Sequence, residues 1–150
     1  MTVGEALEKH YRAQGLLAPG ESVEARLHDR WVRLRVGRRL IPIKPLLGHQ
    51  EAVLLHDVHH LVTGYGTRYR DELEEAAWEL GSGGCGRWVL MGMNRVAALL
   101  QGLVLCPRRT LRAFRAGRGS RNLYRSRAED VLRRDVEDVR QSLLRPPTRA

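Results

Sequence analysis

Cysteine is scarce in this chain: Cys85 and Cys106 are its only two, and they lack the C-x-x-C spacing of a zinc knuckle or redox pair. Two thiols are too few for a disulfide framework, and a reducing compartment suits them best. Lysine is almost missing. Of 26 basic residues only Lys9 and Lys44 are lysines, so arginine carries the net charge of +9, a bias that GC-rich coding explains without any function. Aromatic residues are few and no RNA- or DNA-binding module is recognisable, so nucleic acid is not an expected partner of that charge. A salt-sensitive attraction to anionic lipid stays open. The longest apolar stretch, Trp88 to Cys106, is interrupted by Asn94, Arg95 and Gln101, which argues against a membrane span. No basic segment followed by an apolar one opens the chain, so the expected location is the cytoplasm, or the periphery of the membrane's inner face.

Helical periodicity dominates what is present. Thr2 and Glu5 form a T-x-x-E capping box, Val3, Leu7 and Tyr11 recur at every fourth residue, and Gly15 can close the helix. From Trp31 to Val36 apolar and basic residues alternate, Gly37-Arg38-Arg39 supplies a turn and Leu40 to Ile43 resumes, which reads as a hairpin with Arg33 and Arg35 facing water. Pro45 suits the first turn of a helix whose apolar positions Leu46, Val53, Leu54 and Leu61 flank three histidines before Gly64 ends it. The following helix has Asp71 and Glu72 in its first turn and Leu73, Ala76, Ala77 and Leu80 as its apolar stripe. The loop from Gly81 to Gly86 lacks the G-K-[ST] ending of a phosphate cradle. The helix from Arg87 to Leu105 is apolar nearly all round, with Met91, Met93, Leu99, Leu100 and Leu103, and is expected at the centre of the core or lining an apolar cavity. Pro107 opens a short arginine-rich helix. Ser126 and Glu129 form a second capping box, and Leu132, Val136, Val139 and Leu143 mark one last amphipathic helix. The fold class that follows is mainly α: a single domain with a helix and small β-hairpin in residues 1–44, a helical core in 45–143 and a frayed tail in 144–150.

Half of the six histidines fall within His56-Asp57-Val58-His59-His60. On a helix His56 and His60 stand one turn apart on one face, so their imidazoles can converge on one point and provide half of a tetrahedral zinc site. Gly64-Tyr65-Gly66 then reverses the chain, which allows Glu72 to add a carboxylate oxygen. Without that convergence Glu72 is merely an acid at a helix start. Asp57, about 100° round the helix from His56, has three roles open to it: a ligand, an acceptor behind a ligand, or the proton-transfer group of a catalytic site. His59 points away from the pair by a similar angle and reads as a surface or partner-facing side chain. No histidine follows Glu72, so the further ligands of an HD phosphohydrolase are missing.

The unit His56-Asp57-x-x-His60, then eleven residues and Glu72, resembles the signature of the coenzyme Q (ubiquinone) biosynthesis protein 4 family. Leu61-Val62-Thr63-Gly64 and Arg121-Asn122-Leu123-Tyr124 are similar as well, and the resemblance runs from about Trp31 to Leu143. Asp71 departs from it, standing where family members usually place glycine. The short length and the lack of a transit peptide suggest a bacterial relative. The resemblance implies a largely helical fold and a divalent metal, zinc or else iron, held by His56, Asp57, His60 and Glu72. It implies an enzyme that decarboxylates and hydroxylates ring carbon C1 of a prenylated hydroxybenzoate. The partners it implies are a prenylated aromatic or quinone-like lipid, an anionic membrane surface, other biosynthetic enzymes and further copies of the chain. Zinc has no redox chemistry, so the oxidation would need oxygen, another acceptor or iron. Two other readings stand beside this one: a non-catalytic lipid- or quinone-binding scaffold whose metal staples two helices, and a zinc-dependent hydrolase.

Overall fold

The first helix begins where its capping residues place it. In the computed structural model, which describes residues 1–28, 32–36, 39–43 and 50–144, the Thr2 hydroxyl accepts the Glu5 N–H at 3.2 Å and the Glu5 carboxylate accepts the Thr2 N–H at 2.8 Å. This box starts α1 (Val3–Ala13), and Gly15, at φ 67°, takes the left-handed turn that leaves it. Ser22 caps α2 (Val23–Leu27) by accepting the Ala25 N–H, a short helix with no counterpart in the periodicity. Next come β1 (Val32–Val36) and β2 (Arg39–Ile43), which pair antiparallel with Leu34 opposite Ile41. The side chains of Arg33 and Arg35, the helix start at Pro45, Leu46 and the tail at 145–150 fall outside the described residues. Among the described residues six further helices follow: α3 (Gln50–Thr63), α4 (Tyr69–Gly81), α5 (Val89–Leu105), α6 (Pro107–Arg118), α7 (Ala128–Leu132) and α8 (Val136–Leu144).

The helices sort into two packing groups. One side of α3 buries Leu55, Val58 and Val62 against Val3 and Leu7 of α1, Val23 of α2, Val131 of α7 and Val139 of α8. In contrast, α4 packs chiefly on α5 and α6, with Ala77, Trp78 and Ala113 forming a second, smaller cluster. The histidine helix and the Glu72 helix therefore belong to different groups, and polar side chains fill the seam between them. Within the second group α4 and α6 touch backbone to backbone. A Cβ on Gly117 would stand 2.3 Å from the Trp78 carbonyl oxygen, and one on Gly81 2.3 Å from that of Phe114. Gly to Ala in a free helix gains about 1 kcal/mol. Here the obstacle is backbone, which cannot step aside, so Gly117→Ala is expected to destabilise by about 1–3 kcal/mol and lower the melting temperature by about 3–10 °C in a thermal scan. A higher melting point would refute the close approach.

Three expectations need correction. α5 is not a central helix: it buries only Met91 and Gly102, because only the side facing α4 and α6 is covered. Val89, Met93, Leu100 and Val104 are exposed on its outer face. Ser126 does not cap the next helix; Arg127 is the N-cap residue of α7, and its guanidinium pairs with Glu129. The last amphipathic stretch breaks in two at Asp135, whose carboxylate accepts the Glu137 N–H and the N-terminal ammonium at 2.8 and 2.9 Å. Thr2 forms an isolated antiparallel bridge with Asp135, and backbone hydrogen bonds from the Val3 N–H to Arg134 and from the Val136 N–H to Met1 tie the chain's start to the junction of α7 and α8. Among the described residues no helix is long and apolar enough to cross a membrane.

Candidate metal centre

Three of the four residues singled out by spacing meet at the seam. His56 and His60, both buried, bring their Nε2 atoms to 3.1 Å from each other, and Glu72 places Oε2 3.4 Å from the first and Oε1 3.3 Å from the second. The other ring nitrogens decide the chemistry. His60 Nδ1 lies 3.1 Å from the Tyr65 carbonyl oxygen and His56 Nδ1 2.9 Å from Glu79 Oε1, and since both partners only accept, both Nδ1 atoms carry hydrogen. In the neutral rings both Nε2 atoms then hold lone pairs 3.1 Å apart, an unfavourable approach that a proton or a cation between them relieves. Tetrahedral zinc with nitrogen at 2.0–2.1 Å sets its donor atoms about 3.3 Å apart. The spacings of His56, His60 and Glu72 match that edge, so the donor set fits a divalent ion, and the acceptors behind the rings are those that commonly orient metal-bound histidine.

Without an ion the cluster holds protons. Burial disfavours the charge on His56, yet Glu79 and Glu72 outweigh it and raise its pKa to about 10. The same contest, with Glu72 as the main attraction, raises that of His60. Glu72 is itself partly desolvated, but the two imidazoles hold its carboxyl far below the usual range.

Behind the triad lies a group that spacing did not reveal. Glu79, fully buried, accepts at one oxygen from His56 Nδ1, from His59 Nδ1 at 2.7 Å and from the Tyr124 hydroxyl at 2.7 Å. His59 is the clearest correction: it is fully buried, edge-on to Trp78 and Tyr124, and facing neither solvent nor a partner. Its Nε2 accepts the Leu123 N–H at 2.9 Å, so its Nδ1 is the protonated one and burial keeps the ring neutral. His59, Glu75 and Glu79 are close enough together to hold a cation. With both His59 nitrogens already bonded, however, that ring has no lone pair to offer. Glu75, bonded to Thr63, is pushed up by burial to about 7. Asn122 ties the end of α4 to the following loop by donating to the carbonyls of Glu79 and Gly84. The segment Arg121 to Tyr124 thus braces the site. The signal available in the sequence is Leu123-Tyr124, two large apolar-bodied residues that follow Asn122 in an otherwise polar loop.

Asp57 is not brought into the triad. Its position a quarter-turn from His56 aims it at α1, where its carboxylate accepts the Tyr11 hydroxyl. Burial and Asp57 push the Tyr11 pKa well up, which keeps that hydroxyl a donor. Asp57 does border a cavity of about 270 Å³, lined also by His60, Leu61, Tyr65 and Leu7, so it shares a wall with one triad member. Both cysteines are buried and free, and burial raises the Cys85 thiol to about 12, which removes it from thiolate chemistry. Compared with protein-family models, with curated proteins and with solved structures, the chain matches none.

Proposed function

We propose that this protein is a metal-dependent enzyme of the ubiquinone-biosynthesis type, with His56, His60 and Glu72 as the ligands and a prenylated, ring-carboxylated hydroxybenzoate or a related lipophilic aromatic as the substrate. The observation that carries the metal is the pair of imidazole Nε2 atoms 3.1 Å apart, each with its Nδ1 already donating. The family resemblance carries the chemistry. A divalent ion here supplies Lewis-acid polarisation of a carboxylate or phenolate oxygen. Glu79 and the Tyr65 carbonyl hold the two rings in one tautomer, and the cavity beside His60 is of a size for a single aromatic ring. Asp57, on that cavity wall and bonded to Tyr11, is the group placed to exchange a proton with a ring hydroxyl. If water supplies the new oxygen, exchanging carboxylate for hydroxyl releases carbon dioxide, one proton and two electrons, so an external acceptor such as dioxygen takes part. Metal analysis of the purified protein with turnover of a ring-carboxylated prenyl-hydroxybenzoate tests this: stoichiometric metal and released carbon dioxide are expected. Wild-type protein without metal would end it.

A second reading, a lipid-binding scaffold on an anionic membrane, is favoured by α5. Val89, Met93, Val96, Leu100 and Val104 lie on one side of that helix and are all exposed, and Arg108, Arg112 and Arg115 of α6 are exposed beyond its end. Vesicles containing phosphatidylserine are expected to float the protein at low salt, and a Leu100→Glu, Val104→Glu variant to stay behind. Equal flotation of the variant would remove this face from consideration. Stoichiometric metal without turnover, together with co-purified quinone lipid, would favour the scaffold over the enzyme.

A further inference from the structure

Arg95 reaches the triad from the covered side of α5, and its placement is costly unless an anion completes it. Its side chain is 11% exposed; Nη1 lies 3.5 Å from His56 Nε2, and Nε lies 3.7 Å from Glu79 Oε2. Among the described residues neither Nε nor that Oε2 has a hydrogen-bond partner. A guanidinium is always charged and carries five donors in a flat fork. Burying it beside a ring nitrogen that serves a cation brings two positive centres together with little water to screen them. Glu79 offsets this only in part, since its other oxygen already serves His56, His59 and Tyr124. Glu72 and Glu79 are the carboxylates touching the His56 ring, so a divalent ion in the triad leaves this shell, Arg95 included, net positive.

Three protein donors also leave a four-coordinate ion one position for an outside ligand. The Glu72 side chain is 37% exposed, so the triad is open to solvent on that side. We propose that Arg95 is the anion-recognition residue of this site: together with an ion held by His56, His60 and Glu72, it forms a two-point clamp for a carboxylate, one oxygen toward the ion and the other on the guanidinium. A guanidinium fork takes carboxylate and phosphate alike; the ring carboxylate of the proposed substrate sets the class here, and phosphate is the comparison in the test. The clamp rests on the metal reading above and adds to it a residue that neither the motif nor the spacing contains. The competing role, a plain counter-charge for Glu79, predicts a stability loss on substitution and no change in anion affinity.

The test uses the full-length protein loaded with cobalt(II), whose visible spectrum reports its ligands, titrated with benzoate and separately with inorganic phosphate. Wild type is expected to take up cobalt and to show a saturable spectral change with benzoate that phosphate does not match. Arg95→Gln is expected to retain cobalt and to lose about 10–100-fold in benzoate affinity, the scale of a charged hydrogen bond. Arg95→Lys, which keeps the charge without the fork and preserves packing should the Gln variant fail to fold, is expected to fall between. Cobalt uptake with no benzoate response in wild type overturns the clamp alone, as does unchanged affinity in either variant, or tighter binding of phosphate. Failure of wild type to take up cobalt overturns the metal reading and the clamp with it.

Discussion

His60→Ala is expected to purify without stoichiometric metal, under conditions in which the wild-type chain retains it. The substitution removes one of three converging donors and leaves His56 and Glu72, too few to enclose an ion. Loss of a hydrogen-bond partner behind a metal-bound histidine costs roughly 10–100-fold in affinity, and loss of the ligand itself should exceed that. Exposed His28 supplies the control, since His28→Ala removes an imidazole from outside both the triad and the cavity beside His60. Zinc at about 100 times its dissociation constant should stabilise the wild type by about 2.7 kcal/mol, and His60→Ala should show no comparable rise in melting temperature. The pH dependence has a definite sign. His56, with a pKa raised to about 10, holds a proton at neutral pH in the metal-free state, so metal uptake must displace it. Wild-type affinity should climb with pH toward about 10, and uptake at neutral pH should release protons, measurable by calorimetry in buffers of different ionisation enthalpy. Retention of stoichiometric metal by His60→Ala would show that the site lies elsewhere.

The convergence of His56, His60 and Glu72 was legible in the sequence because it depends on short-range geometry. An i,i+4 pair on a helix converges whatever the rest of the chain does, and a tight turn brings Glu72 back within reach. His59 was misjudged, and the partner of Asp57 went unseen, for the opposite reason: helical angle says where a side chain points and says nothing of what stands there. Asp57 meets Tyr11, 46 residues away, and His59 meets Glu79 and the backbone of Leu123, 64 residues away. Such partners are set by how the two helix groups dock. No spacing marks Glu79 out among the acids of α4, yet the seam buries it completely. The apolar run of α5 misled in another way. Its composition suits a core, but a chain that layers helices on only one side of it leaves the other side bare.

Glu79→Ala is expected to cause the largest stability loss of any single substitution in the seam. The carboxylate is fully buried, takes hydrogen bonds from His56, His59 and Tyr124, and faces Arg95. Alanine would leave three buried donors without acceptors, at about 1–3 kcal/mol each, and a buried guanidinium without its counter-charge, where breaking such a pair costs about 3–5 kcal/mol. These effects are not additive, but together they approach the 5–15 kcal/mol that holds a typical domain folded. Glu79→Gln separates charge from shape. Its amide oxygen can still serve the three donors, while its N–H group faces Arg95 as a second donor, so it should be destabilised less than alanine and remain folded in urea titrations followed by circular dichroism. Acid and base responses follow from the same contacts. Despite desolvation, His56 and His59 hold the Glu79 carboxyl well below its ordinary value, so this stabilisation is present above about pH 4.5 and lost as pH falls through the lower folded value. His56 is raised to about 10, so in the metal-free protein its share is full below about pH 6.5 and is lost as pH rises through 10. The metal-free wild type should therefore weaken steadily from neutral to alkaline pH, and Glu79→Gln should flatten that slope because the main partner of the His56 charge is gone. A Glu79→Ala protein that melts within a degree or two of wild type would mean that the two helix groups are joined by something other than this carboxylate.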